Sequence, residues 1–487
     1  MKSRALIALA ASAAAIAYAS AGAAQSSGTR AISQGTAAKA AQEHPQIVEQ
    51  FGGEETGPRA AYVRTVGARV AAQTNIQGGG NAFRITTLNS PVMNAFAVPG
   101  GYLYVTRQLL GLINDEAELA SVLGHEAGHI AARHSSERQR TGILSQLGAA
   151  LVGAVTGSEQ IAQIAGQVGQ GIFLKYSRSQ EYEADDLGVR YLAAAGYDPG
   201  ASPTFLNSLG AATSLQTRAA GAGDERSTPS WARTHPLSAD RVKRSTQKAQ
   251  ATGRAGRGLR NRDQYLAQID GVMVDDDPKQ GVIEGRSFLH PDLRVRFTAP
   301  QGYGMQNGAT AVAITGQQGQ AQFSGGAYSG NLGTYIGQVF TKLGGTQAQV
   351  PYSEPRGTTI NGIPAAYSTA RVNSQQGQVD VTVFAYQWDA NRVYHFTMIT
   401  PAGAGLGPFS AMVQSVSRMS AAEAAAIRPR MIDVVTVRAG DTVQSLANRM
   451  AYTDLKLERF RVLNALGASS TLTPGQKVKL VVYGNRS

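Results

Sequence analysis

His125 and His129 stand four residues apart with Glu126 between them, in the run His125-Glu126-Ala127-Gly128-His129. On an α-helix, residues i and i+4 share a face, so both imidazoles can offer a nitrogen to one cation while the adjacent carboxylate reaches a nearby water. This is the equipment of metal-assisted hydrolysis, in which a Lewis acid polarises a carbonyl and a carboxylate moves the proton. A hydrolytic zinc takes three protein ligands and keeps a fourth position open. With no cysteine in the chain, the third ligand must be another His or a carboxylate, and thiolate chemistry, disulfides and a lipidated N-terminal Cys are excluded.

A third His six residues after His129, with a Gly three after it, would make a metzincin, but those positions hold Ser135 and Ala132. Downstream, the run Ser177-Arg178-Ser179-Gln180-Glu181-Tyr182-Glu183-Ala184-Asp185 opens a second helical pattern that continues through Leu187 to Leu192. Glu181 and Asp185 share a face of it. The first is placed to ligate metal, and the second to accept the free N–H of a ligand imidazole and fix its tautomer. His134, five residues after His129, points off the ligand face of a continuing helix and reads as structural.

These side chains need scaffolding. Asn114 as a cap and the apolar Leu119, Val122, Leu123 and Ile130 put the first pattern on an amphipathic helix. Asn94 to Thr106 reads as a strand, a Gly100-Gly101 turn and a second strand, Tyr102 to Thr106. An extended edge beside a metal would hold a peptide by main-chain pairing, through the segment that includes Asn94, Ala95 and Phe96. A plain structural hairpin is the alternative.

The chain has 487 residues, too many for one core, with 43% apolar residues, 16% charged residues and 56 glycines, which describes a folded, loop-rich, multidomain protein. Its net charge of +12 is scattered, which favours general attraction to anionic envelope material over nucleic-acid reading. Lys2 and Arg4 precede an Ala-rich run with small residues at Ala21 to Ala24, the pattern of a signal peptide, 1–24, cut near Ala23 or Ala24. An uncleaved anchor is the alternative, although the run is shorter than the roughly 20 residues of a spanning helix. The stretch Leu144 to Val155 is also too short to cross a bilayer, so no transmembrane anchor is expected after processing. The mature chain divides into a mainly α catalytic domain with a small edge sheet, 45–250; a Gly- and Arg-rich linker, 251–287; an α+β domain, 288–420, with no chemistry assigned; and a βααβ module, 431–484.

The HExxH run, Glu181-x-x-Ala184-Asp185, Asn94 to Gly101, and Thr234-His235-Pro236 together resemble the HtpX-like and CAAX-prenyl-protease-like zinc metallopeptidases, in particular the soluble periplasmic, BepA-like branch. The resemblance covers about residues 45 to 250. It implies a gluzincin-type domain, one Zn2+ per chain held by His125, His129 and Glu181 rather than Glu183, and Glu126 as the general base. It gives His235 two readings, a reversible fourth ligand that shuts the site or a donor to the oxyanion, with Arg241 supporting either; a His satisfied in the core is a third. The tail resembles a LysM module, through its Val-Arg-Ala-Gly-Asp-Thr-Val entry, Leu463-Asn464 and Thr473-Pro474-Gly475-Gln476. That implies binding of N-acetylated glycan such as peptidoglycan, with a ligand-free packing module as the alternative. The expectation is a periplasmic endopeptidase acting on unfolded or misassembled envelope proteins. Two rivals stand beside it: a peptidoglycan peptide hydrolase, and a non-enzymatic chaperone-like scaffold.

Overall fold

The computed structural model describes residues 30–134, 176–219, 235, 237–328, 330–344, 350–374 and 377–485. The signal segment 1–24, the stretch Leu144 to Val155, Ser135, Thr234 and Pro236 lie outside them. The first half is built from α1 (Gln34–Gln50), α2 (Pro58–Ala71), β1 (Arg84–Leu88), β2 (Ala95–Val98), β3 (Tyr102–Thr106), α3 (Arg107–Leu112) and α4 (Glu116–Ala131). After these come α5 (Arg178–Ala194), α6 (Ala201–Ala219) and α7 (Ala239–Ala251).

The HExxH run lies on α4, which is buried from Glu116 to Ile130 and forms the centre of this half. Its polar side chains, Glu116, Glu118, His125, Glu126 and His129 among them, are buried with the apolar ones, so they look for partners in the surrounding elements. Its N-cap is Asp115, whose carboxylate accepts from the Glu118 amide at 2.9 Å. Asn114, the expected cap, instead donates its own amide to the Glu118 carboxylate at 2.8 Å. α5 starts at Ser177, which forms a capping box with Gln180. The two helices cross at glycines. A methyl group on Gly188 would stand 3.2 Å from the His125 amide nitrogen, and one on Gly128 would stand 3.3 Å from the Ala184 carbonyl. The missing side chains let α5 lie directly against the side of α4 that carries His125.

Beside α4 lies a three-stranded sheet in the order β1-β3-β2, with β1 parallel and β2 antiparallel to β3. β2 forms one edge. The turn before β3 uses Gly100 and Gly101 at φ 107° and 90°, and a methyl on Gly101 would come within 2.3 Å of the Ala82 carbonyl. Only glycine fits there.

Residues 251–287, expected to be a linker, carry α8 (Arg262–Ile269), β4 (Met273–Val274) and β5 (Val282–Glu284). Leu266 and Ile269 are buried in the core of the first half, and the Tyr265 hydroxyl donates to the Leu110 carbonyl at 2.7 Å. Apolar spacing too short to stand out in a Gly- and Arg-rich background becomes structure once it finds a core to join.

The middle region is rich in sheet. A four-stranded antiparallel sheet contains β5, β6 (Ser287–His290), β7 (Val295–Thr298) and the short β15 (Ser417–Arg418). A seven-stranded antiparallel sheet contains β8 (Gly304–Asn307), β9 (Val312–Gly316), β10 (Gly319–Ala327), β11 (Arg356–Ile360), β12 (Ile363–Ser374), β13 (Gly377–Gln387) and β14 (Arg392–Pro401), ordered β11-β12-β13-β14-β10-β9-β8. One face is covered by α9 (Leu332–Gly344) through Ile336 and Phe340. The other packs Phe297, Phe323, Phe384 and Phe396 into an aromatic core. Alternation along β13 and β14 serves both faces, so these strands are buried almost throughout.

The chain closes with β16 (Arg430–Thr436), α10 (Val443–Asn448), α11 (Lys456–Leu463) and β17 (Lys477–Tyr483), the expected βααβ order. β16 pairs antiparallel with β17 on one side and with β4 on the other. This unit does not hang free. Ile432, Leu446, Phe460, Val478 and Leu480 belong to the same buried cluster as Leu109, Leu110 and Leu123 of the first half. Lys479, fully buried, donates to the carbonyls of Gly111, Leu112 and Ile113 at 2.8, 3.0 and 2.8 Å. These are the carbonyls at the end of α3, which no amide of the helix itself can satisfy, and burial holds the Lys479 amine well below its ordinary pKa.

Candidate metal centre

Four side chains converge on one point beside α4: His125, His129, Glu181 and His235, all buried, with one donor atom of each within 4.8 Å of the others. α4 supplies the two imidazoles on one face. α5 supplies Glu181 from its first turn, where the helix N-terminus favours a carboxylate. His235 enters from the segment ahead of α7. His125 Nε2 lies 3.1 Å from His129 Nε2 and 3.2 Å from His235 Nδ1, and the latter is 2.9 Å from Glu181 Oε1. The Glu181 oxygens are each 3.6 Å from one of the α4 imidazole nitrogens. Atoms bound tetrahedrally at about 2.0–2.1 Å are about 3.4 Å from one another, so this set fits a zinc-sized ion. Three imidazole nitrogens aimed at one another around a carboxylate have little reason to converge without a cation.

The surroundings hold these groups in register. His125 Nδ1 is 3.0 Å from Asp185 Oδ1, one helical turn beyond Glu181, so Nδ1 carries the proton and Nε2 faces the cluster. Arg241, on α7, grips Asp185 with two 2.8 Å contacts and reaches a Glu181 oxygen at 2.8 Å. Its link to His235 is through the backbone carbonyl, at 3.4 Å. The sequence made Arg241 a helper of His235; the structure adds two acids that it holds ionised. Burial works against the charge of Asp185, yet the Arg241 ion pair and His125 hold its carboxyl well below the usual range. At Glu181, too, burial is outweighed, here by His235, His125 and Arg241, and the net shift is downward.

Glu126 behaves differently. Both its oxygens are buried without a well-formed hydrogen bond, and His235 Nε2 is 3.6 Å from one of them. Burial and the nearby negative charge of Glu181 push its carboxyl up to about 8, against the opposing pull of His125, Arg241 and the Ala97 amide. A buried carboxyl pushed up in this way beside a cluster of donor atoms marks a candidate functional group. The pull of the Ala97 amide also shows that β2 runs past this carboxylate.

Of the three residues assigned to substrate, Asn94 and Ala95 are fully buried, and the Asn94 backbone pairs with Thr106 at 3.1 and 3.0 Å. Phe96 is half-buried and stacks on Tyr104, ring centres 4.8 Å apart. β2 lies at an edge of the sheet, as main-chain pairing would need.

His134 stands just beyond the end of α4. α4 ends at Ala131, and Arg133 adopts φ 59°, which turns the chain back so that the His134 amide donates to the His129 carbonyl at 3.0 Å. The imidazole of His134 then meets that of His129, Nδ1 to Nδ1 at 2.9 Å, and reaches Glu183 at 3.3 Å. Its position had been judged on a helix that continues; this one stops. Tyr176 stacks face to face on His129 at 3.7 Å.

Residues 58–249 match the family model described as Peptidase family M48, and residues 435–481 match that of the LysM domain. The chain is 36% identical over 142 residues to a mitochondrial metalloendopeptidase OMA1 of Arabidopsis thaliana, covering 29% of this chain and 28% of the relative. It is 34% identical over 158 residues to a beta-barrel assembly-enhancing protease of Yersinia pestis, covering 30% and 32%. It is 32% identical over 200 residues to a putative beta-barrel assembly-enhancing protease of Vibrio cholerae, covering 39% and 38%. The chain thus spans about a third of the length of the curated relatives it matches. It carries a peptidase family M48 domain at residues 58–249 and a LysM domain at residues 435–481.

Proposed function

We propose that this protein is a zinc metalloendopeptidase of the bacterial envelope, in which His125, His129 and Glu181 hold the metal and Glu126 is the catalytic carboxylate. The observation that carries this reading is the convergence of donor atoms from α4 and α5, with the buried Glu126 carboxyl beside it. Zinc held there would supply Lewis acidity to the scissile carbonyl and to water. Glu126 takes the proton of the attacking water and delivers it to the leaving amine. Asp185 keeps His125 in the tautomer that faces the cluster, and Arg241 keeps Asp185 and Glu181 ionised. The edge of β2 pairs with the backbone of an extended peptide, which gives affinity with loose sequence preference.

His235 fills the corner of the donor set that a hydrolytic site needs open. Its Nδ1 lies among the ligand atoms, which favours a shutter displaced on activation over a standing oxyanion donor.

The relatives named for beta-barrel assembly support substrates among unfolded or misassembled envelope proteins, and a periplasmic site reached after loss of residues 1–24. The LysM domain supports contact with peptidoglycan. It also favours a second reading, hydrolysis of wall peptides by the same chemistry. The test offers an unfolded outer-membrane barrel protein and purified sacculi in parallel to the zinc-loaded wild type and to Glu126→Gln. Protein cleavage by the wild type alone is the expected result. Cleavage confined to sacculi transfers the function to the wall, and no cleavage of either by zinc-loaded protein leaves only a scaffold.

A further inference from the structure

His125 and His129 are both candidate ligands, but they are supported differently. His125 leans on a buried acid, Asp185, at 3.0 Å. Among the described residues, His129 Nδ1 meets not a carboxylate but the imidazole of His134, 2.9 Å away, and His134 Nε2 has the Glu183 carboxylate at 3.3 Å.

A hydrogen bond between two Nδ1 atoms needs a proton on one and a lone pair on the other. His129 Nε2 faces the donor cluster, so it must present a lone pair there, and its proton must sit on Nδ1. His129 is therefore the donor and His134 the acceptor. A neutral His134 that accepts at Nδ1 carries its proton on Nε2, which points at Glu183. One arrangement of protons satisfies all three contacts.

We infer that Glu183 and His134 form a relay that locks His129 in its metal-binding tautomer, making His134 a positioning residue for the zinc site proposed above. The opposite tautomer of His129 would aim an N–H at the cluster and cancel a ligand. Tyr176, stacked on the ring, keeps the imidazole from turning to escape the relay. The two ligands differ in access to solvent: the Asp185 side chain is 4% exposed, whereas that of Glu183 is 61% exposed. The His129 branch thus ends in a carboxylate that solvent and partners can reach.

The relay rests on the proposed zinc site, and one experiment separates the two. Zinc affinity of the full mature chain is measured by chelator competition for wild type, His134→Phe and Glu183→Gln, with the histidine ring nitrogens observed by NMR. Phe keeps the ring volume and removes the acceptor; Gln keeps the shape of an exposed side chain and removes its charge. The expected loss for His134→Phe is about 10–100-fold in affinity, the range for partners of ligand residues. Glu183→Gln should lose several-fold, and His129 Nδ1–H should be the tautomer seen in the wild type. Unchanged affinity in a folded His134→Phe, or a His129 protonated at Nε2 in the zinc-loaded wild type, overturns the relay while the site survives. If His134→Phe does not fold, Glu183→Gln decides, and affinity equal to wild type rejects the relay. A wild type that binds no zinc overturns the site itself.

Discussion

Lys479 Nζ, on the strand β17, lies 2.8 Å from the carbonyl of Gly111, in the last turn of the helix just ahead of the HExxH helix. The residues after Gly111 lead straight into α4, so the LysM domain buttresses the element that carries the site. Lys479→Ala leaves three carbonyls without their donor in a dry interior, at an expected cost of about 2–4 kcal/mol. Lys479→Met, which keeps the stem, should cost less. A chain ending at Pro429 should lose the protease resistance of its peptidase domain, because the buried cluster that holds Leu109 and Leu110 would lose Ile432, Leu446, Phe460, Val478 and Leu480. Urea unfolding and limited proteolysis check both, and a truncated chain with intact activity would overturn the shared core.

Glu126→Gln keeps the side chain's size and every ligand. Peptidase activity should fall by about 100- to 10,000-fold, the usual worth of a positioned proton carrier. Zinc content by mass spectrometry should stay near that of the wild type. Loss of metal together with activity would make Glu126 part of the binding set instead.

His235→Ala tests the shutter through the sign of the rate change. With its Nδ1 removed from the fourth corner, hydrolysis of an unfolded protein should speed up while zinc dissociates faster. A slower enzyme with unchanged zinc retention would return His235 to oxyanion stabilisation.

Arg241→Ala strands two buried carboxylates, Asp185 and Glu181, within one site. Breaking a buried pair from one side costs about 3–5 kcal/mol. Zinc should recover part of that loss by neutralising Glu181, so the melting temperature of the variant should respond more steeply to added zinc than that of wild type. Equal responses would show that Arg241 acts on Asp185 alone.

The middle sheet contains a pH-sensitive group. His395, buried on β14, bonds Ser324 at 3.2 Å and Tyr335 at 2.9 Å, and burial, with Lys342 adding, lowers its pKa to about 4. The folded state thus binds a proton less readily than the unfolded chain, whose histidine titrates near 6.5. Its contribution is complete above pH 6.5 and disappears as the pH falls towards 4, for a total of about 3 kcal/mol. Hydrogen exchange of the β13 and β14 amides at pH 7 and pH 4.5 should show this loss, and His395→Gln should flatten it.

Much of the candidate site was legible in the sequence because its intervals are helical. His125 to His129 and Glu181 to Asp185 each span one turn, and a turn is a local property that survives wherever the helix is placed. The βααβ tail was legible too, since strand and cap signals act over a few residues. His134 was not, because one left-handed residue, Arg133, ends the helix and reverses the direction of its neighbour. Arg241 lay within view, but nothing in spacing linked it to two acids more than fifty residues away.

By itself, then, the sequence determined the chemistry on offer: the imidazole pair, the carboxylates, the absence of thiols and the order of modules. Tertiary structure alone decided that four donors meet at one point, that His235 occupies the fourth corner, that a supposed linker is part of the core, and that the LysM domain is fused to the peptidase domain. The division has a physical cause. Helical periodicity is set by backbone sterics within a few residues, whereas contacts such as Lys479 with Gly111 depend on which apolar surfaces find one another across the whole chain, and no local pattern records that choice.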